Sequence, residues 1–279
     1  VSRHADTTDL PGAHRTTAVG HDGRVCRLPL LTVVVACSLL GACTAQPDAP
    51  APAPSASASA AAAPPSDRPA PEPSDAAVTE VSSGGTTLTV SVPTGGGARA
   101  VEVVPADGTV TVRVGTAPEA PATITLTSAG SLEVNVDSSV TILDDGGTPV
   151  AGLSPVAGGA VVTAVDTTSV RLDPPPEAST AETVLGTEAV ESADWGEREG
   201  GRSLAVDPTA WARSGGEAGT DLVWAELVAS DPEVDTPVMH DQLVCHSIGA
   251  PEKDTWNLEP WRPDVGLVAV LTDRCNPTE

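Results

Sequence analysis

Residues 86–92, TTLTVSV, place Leu88, Val90 and Val92 on one side of an extended chain. Successive side chains of a strand point to opposite faces, so this alternation predicts a half-buried β-strand. The rhythm recurs in GTVTVRV (Val110, Val112, Val114) and in ATITL (Ile124, Leu126). It returns in SLEVNVDSSVTIL, with Leu132, Val134, Val136, Val140 and Ile142. Val/Thr-rich runs separated by Gly, Pro and Asp predict a small all-β domain over residues 81–175, an antiparallel sandwich or a barrel-like closure. Asp144-Asp145-Gly146-Gly147 reads as a turn. The stretch holds no Trp, His or Cys, and the chain has no Phe or Tyr, so its core is thin and no catalytic role is expected there.

The last third is built from other material. All five Trp (195, 211, 224, 256, 261) lie there, after the break at Pro174-Pro175-Pro176. This predicts a second module over residues 176–279. Its first part, to about Ala193, reads as a short helix or strand. Gly200-Gly201 suits a hairpin turn, and Leu204 with Val206 a buried face. TDLVWAELVAS predicts a helix capped by Thr220 or Asp221, with Trp224, Leu227 and Val228 on one side. TPVMHDQLVCH predicts another, capped by Thr236 with Pro237 in its first turn. VGLVAVL (265–271) reads as a short buried strand. The module is therefore expected to be a small α+β domain.

The opposite end of the chain carries an address. Arg24 and Arg27 precede an apolar run of 13 residues, Leu28 to Leu40, short for a membrane span and suited to a signal-peptide core. The run ends in Leu40-Gly41-Ala42-Cys43, which resembles a bacterial lipobox. The resemblance implies cleavage after residue 42 and diacylglyceryl attachment at Cys43. Two acyl chains hold where one is marginal, at about 0.8 kcal/mol per buried CH₂. Residues 24–42 are thus read as a lipoprotein signal peptide, and residues 1–23 as a mis-started extension, with Val19 or Val25 as alternative starts. Residues 43–80 are mostly Ala, Pro and Ser and are expected to form a disordered linker of polyproline-like stiffness. Fully extended, it would reach on the order of 100 Å. The expected setting is the extracytoplasmic face of a cell membrane, with the membrane as partner through the lipid.

With Cys26 and Cys37 in the signal and Cys43 acylated, Cys245 and Cys275 remain as one pair in an exported chain, so a disulfide is expected. Closing that loop stabilises by roughly 3–4 kcal/mol on chain-entropy grounds. It would also fold the polar segment 246–262 back on its helix. His246, Lys253, Glu259 and Arg262, joined by Glu226 from the neighbouring helix, are the candidate catalytic residues. His would serve as base, and Lys or Arg would stabilise an anion. The competing reading is a structural network with Arg262 paired to Glu259 or Asp264. Trp256 and Trp261 are the candidate binding residues and, alternatively, core plugs. No cofactor or metal site is expected. His240 and His246 project about 120° apart on a helix. Asp231, Glu233 and Asp235 begin like a calcium loop but meet Thr236 and Gln242 where Gly and Glu belong.

Four segments of this module, GGRSLAVDPTAWAR, HDQLVCH, WNLEPWRPDVG and the final CNP, together resemble the family known as domain of unknown function 2599, found in secreted actinobacterial proteins. The resemblance covers about residues 194–277 and implies a domain boundary and a secreted setting, not an activity. Charge narrows the partners. With 14 Lys and Arg against 38 Asp and Glu the net charge is −24, most of it in the C-terminal module. Nucleic acid and anionic wall polymers are repelled. The first expectation is a tethered module that binds an unknown protein or envelope ligand, marked by a Trp exposed in a groove or on a flat face. The alternative is a secreted hydrolase or toxin-like nuclease using His246 with Lys253, Arg262 and Glu226.

Overall fold

The computed structural model describes residues 76–94, 101–115, 121–173 and 180–278, all within one compact unit. The signal segment, Cys43 and residues 43–75 of the linker lie outside the described residues. Fourteen strands and four α-helices make the described chain predominantly β. The strand begun at Ala76 starts inside the stretch read as linker, because it pairs along its whole length with the TTLTVSV strand.

Two antiparallel sheets face each other. The first runs β1 (Ala76–Ser83), β2 (Thr86–Pro93), β5 (Ala122–Leu126), β10 (Ser169–Asp173), β9 (Val161–Ala164). The second runs β3 (Val101–Ala106), β4 (Thr109–Gly115), β11 (Thr180–Gly186), β8 (Pro149–Leu153), β7 (Val140–Leu143), β6 (Ser131–Val134). Leu88, Val90, Ile124 and Leu172 from one, and Val112, Ile142, Leu153 and Leu185 from the other, form a single aliphatic core, as the alternation requires. Val136 departs from it. It is fully exposed in the turn between β6 and β7, where Asp137 accepts from the Ser139 N–H. β11 supplies the centre of the second sheet from beyond the proline break, so the sheet pairing runs past residue 175.

The outer face of the second sheet is covered as well. Thr141, Gly152, Val184 and Gly186 alternate with the core residues and look away from them. The indole of Trp211, from α1 (Ala210–Ser214), lies over this face. A Cβ on Gly186 would come within 2.1 Å of its ring, and one on Gly152 within 3.1 Å. The Trp211 Nε1–H donates to the Val184 carbonyl at 3.0 Å. Behind it runs α2 (Gly216–Ser230), which begins earlier than the expected cap at Thr220 or Asp221. Its N-cap, Gly215, has no side chain to offer. The β6–β7 turn caps it instead: the Glu217 N–H donates to Asp137 and the Ala218 N–H to Ser139.

A third sheet, β12 (Val190–Arg198), β13 (Gly201–Pro208) and β14 (Trp256–Leu258), completes the fold. The β12–β13 hairpin turns on Glu199-Gly200, both at positive φ, one residue earlier than the glycine pair suggests. α3 (Pro237–Gly249) has Thr236 as its cap, accepting from the Met239 N–H, and Pro237 in its first turn, as read. Leu204, Val206, Trp211, Leu222, Leu227, Met239, Leu243, Trp256 and Leu258 form the second core. Residues 265–271 do not form a strand. Leu267–Thr272 is a helix, α4, with only Val270 buried. A short apolar run fits either state by periodicity. Here the Cys245–Cys275 disulfide, with Cα atoms 5.5 Å apart, and the Cys275 N–H bond to the Val270 carbonyl tie the segment against α3.

Gly186→Ala therefore forces the indole off the sheet and is expected to cost about 1–3 kcal/mol in urea unfolding. Gly196→Ala, where an added Cβ meets nothing within 4 Å, is the control and should shift stability by under about 0.5 kcal/mol.

Candidate functional site

The C-terminal polar residues converge, but into packed protein. Arg262 and Glu259 side chains are 1% and 2% exposed and hydrogen-bond each other through Nε and Oε2. The other guanidinium donors reach Glu199 at the hairpin tip (2.7 Å), Asn276 Oδ1 (3.2 Å) and the Pro277 carbonyl (3.3 Å). One cation thus ties the loop, the hairpin and the chain end. Burial opposes its charge, but the two carboxylates outweigh that and hold its pKa above the ordinary guanidinium value. Gln242, fully buried on α3, completes the lock. Its Nε2–H₂ donates to the Val238 and Glu259 carbonyls at 3.0 Å, and its Oε1 accepts from the Glu259 N–H at 2.9 Å.

The remaining candidates are distributed around this lock. His246 is buried, and its Nε2–H donates to the Asn257 carbonyl at 3.1 Å. Its Nδ1 is buried without a hydrogen-bond partner among the described residues. Burial first, then the nearby Lys253 and Arg198 cations against the Asn257 bond, lower its pKa from 6.5 to about 4. The ring is neutral at pH 7, and solvent does not reach the nitrogen a base would use. The Lys253 side chain is exposed; its carbonyl, with those of Pro251 and Asp254, receives the guanidinium of Arg213. Glu226 is elsewhere, on α2, and its two oxygens accept the Ala189 and Val190 N–H groups at 2.9 Å each. Burial raises its pKa against those two bonds. Trp256 is wholly buried in the second core. Trp261 is 44% exposed, stacked on Arg262 at 4.5 Å and lying over Gly201. Asp231 caps a short 3₁₀ turn and accepts from the Trp195 Nε1–H at 2.7 Å, while Glu233 pairs with Arg202.

A separate concavity of about 480 Å³ opens between the β7–β8 turn (147–149) and α2. Trp224 walls it, with Ala225 and Ala229 beside it and Asp221 and Asp235 contributing carboxylates. The His240 ring packs against Trp224 in a T-shaped contact, centroids 4.8 Å apart and planes at 80°. Asp221 accepts from the Thr141 hydroxyl at 2.8 Å, and Thr141 in turn accepts from Asn135 Nδ2 at 2.9 Å. Burial raises the Asp221 pKa. Thr141 and His240 work against that, while Glu133 and Asp137 add to it. From sequence Trp224 falls on a helix face with Leu227 and Val228 and is marked as no site. The signal available was an Asp three residues before a Trp, with alanines at 225 and 229 too small to fill the space beside it.

This chain, a three-stranded sheet and helices seated on a β-sandwich and closed by one disulfide, belongs to the family described as "Protein of unknown function (DUF2599)", whose model matches residues 190–278. Uncharacterized proteins of Mycobacterium tuberculosis and Mycobacterium bovis are each 35% identical to it over 131 residues, covering 42% of this chain and 88% of theirs. An uncharacterized protein of Mycobacterium leprae is 33% identical over 81 residues, covering 28% of this chain and 60% of its own. No solved structure matches significantly.

Glu259→Ala leaves the buried Arg262 cation with only the exposed Glu199 carboxylate as counter-charge and is expected to cost about 2–4 kcal/mol by denaturant titration. His246 makes a second expectation. Its folded pKa of about 4 lies below the ordinary 6.5, so protonation favours the unfolded chain. Its contribution is complete above pH 6.5 and is lost as pH falls toward 4, by on the order of 3 kcal/mol. The urea midpoint should fall across that window, and His246→Gln should flatten the fall; identical slopes would refute the assignment.

Proposed function

We propose that this chain is a membrane-anchored extracytoplasmic lipoprotein that acts by binding, its acidic, Trp-rich α+β module carried on a β-sandwich module above a stiff linker. The observation that carries the binding reading is the groove walled by Trp224, a solvent-open concavity with an aromatic side and carboxylates at its edge. The polar residues a hydrolase would employ are engaged in holding loops together. Arg262 and Glu259 are buried against each other, and Glu226 is occupied by two backbone N–H groups.

The anchor rests on residues 24–43: a basic start, an apolar run of signal length and a lipobox-like end at Cys43. The charge of −24 supports a partner that is neither nucleic acid nor an anionic wall polymer. The disulfide between Cys245 and Cys275 fits an oxidising compartment.

Expressed in an actinobacterial host, the full chain should sediment with membranes, and mass analysis should find a mature terminus at a diacylated Cys43. Cys43→Ser should release it to the soluble fraction. An unprocessed chain in the cytosol, with the Cys43→Ser variant distributed identically, would remove the anchor from this account.

A further inference from the structure

We infer that the Trp224 groove is a receptor for a basic peptide segment and takes an alkylammonium or guanidinium side chain between the indole face and the Asp221 and Asp235 carboxylates. The inference rests on the binding reading above and assigns its ligand chemistry.

Three features of the groove point the same way. The first is the π face of Trp224, which offers its negative quadrupole to a cation. His240 packs against the ring in one T-shaped contact, planes 80° apart, and a single such neighbour covers at most one of the two faces of an indole.

The second is charge without a counter-charge. Neither Asp221 nor Asp235 forms an ion pair among the described residues, and no Lys or Arg lines the groove. Some carboxylates of the fold, such as Glu259 by Arg262 and Asp207 by Arg213, are matched; Asp221 and Asp235 are not, and they stand beside an indole at a solvent-open groove. The groups acting on Asp221 include two further acids, Glu133 and Asp137, against the single ring of His240. A cation arriving here relieves repulsion already present. Thr141 uses one oxygen of Asp221 and fixes the carboxylate plane without neutralising it.

The third is shape. Ala225, Ala229 and Gly147 leave a channel rather than a closed socket, and about 480 Å³ is more than one ammonium head requires. The room suits a polymethylene stem together with the backbone that carries it. The acidic field of the whole chain adds long-range steering toward basic partners.

The test is titration of the full mature chain, followed by tryptophan fluorescence and calorimetry, with the probe Ac-Ala-Lys-Ala-Lys-Ala-NH₂. The expected result is saturable binding that weakens with salt. Acetylating both lysines should reduce affinity at least 10-fold. Asp221→Asn and Trp224→Leu should each reduce it about 5-fold. Asp264→Asn removes the same charge at an exposed position outside the groove and should leave affinity unchanged. Near-UV circular dichroism shows whether each variant keeps its packing, and the exposed Asp235→Asn gives a groove variant without buried changes.

Equal affinity for the acetylated peptide, with Trp224→Leu still disruptive, would overturn the cation assignment and leave the groove a binding site. Equal losses from Asp264→Asn and Asp221→Asn would overturn it in favour of diffuse attraction. Saturation by n-butylammonium as tightly as by the peptide would overturn the peptide and mark a small-amine site. The fate of Cys43→Ser is independent of all three.

Discussion

The indole of Trp211 lies against two positions where the second sheet has no side chain, Gly152 and Gly186, and the rest of the architecture follows from that contact. A sheet whose one face already closes a sandwich would ordinarily present polar side chains to water on the other. Here the outer face is small and flat enough for an aromatic ring to approach the backbone, and the Trp211 N–H satisfies itself on the Val184 carbonyl. The ring positions α1, the short turn at Gly215 launches α2, and the sandwich supplies the missing cap through Asp137 and Ser139. α2 then lies with Asp221 over Thr141 and Leu222, Val223 and Leu227 in the second core. The groove beside Trp224 exists only because α2 is held against the β7–β8 turn.

A different device secures the far side of the module. The α3–β14–α4 region has little regular structure between Gly249 and Leu267, and it is fixed by directed bonds rather than by bulk. Arg262 reaches three chain segments, Gln242 pairs with the backbone of Glu259, and Arg213 uses all its nitrogens on the 207–208 and 251–254 segments. Such a network gains little net energy over an apolar equivalent, yet removing a partner leaves a buried polar group, or at Glu259 part of a buried charge, unsatisfied. It specifies one arrangement, and the disulfide holds α4 and the chain end to it.

What the sequence disclosed follows the same division. Strands with strict alternation, such as Leu88-Val90-Val92, were legible because one face is wet and the other buried. α3 was legible because Thr236-Pro237 signals a helix start locally. The docking was not, because a buried Gly or Thr has no hydrophobic signature: Gly152, Gly186 and Thr141 read as ordinary strand residues until Trp211 and Asp221 are set against them. The cap of α2 lies some eighty residues upstream, beyond any window. The α4 segment reads as a strand from sequence, because the apolar residues of 265–271 fit that period as well as a helix's. In the site region, the Cys245–Cys275 bridge was readable from the cysteine count, and Arg262 was readable as paired with Glu259 or Asp264, of which Glu259 is the partner. Gln242 and Arg213 were not, since their partners are backbone groups, apart from the Asp207 carboxylate that Arg213 also reaches. Trp224 was visible as a residue but not as a wall, because a groove is made by what is absent beside it.

The central claim is that sandwich and helical layer are one cooperative unit joined through Trp211. The chain allows a direct measurement, because all five Trp lie between residues 195 and 261 while most strands belong to the two aromatic-free sheets. Tryptophan fluorescence therefore reports the C-terminal layer, and far-ultraviolet circular dichroism is weighted to the sandwich. Followed together through a urea titration, the two signals are predicted to superimpose on one transition with a common midpoint. Two separated transitions, with the fluorescence change complete while the β signal persists, would show that the layers fold independently and would contradict this account.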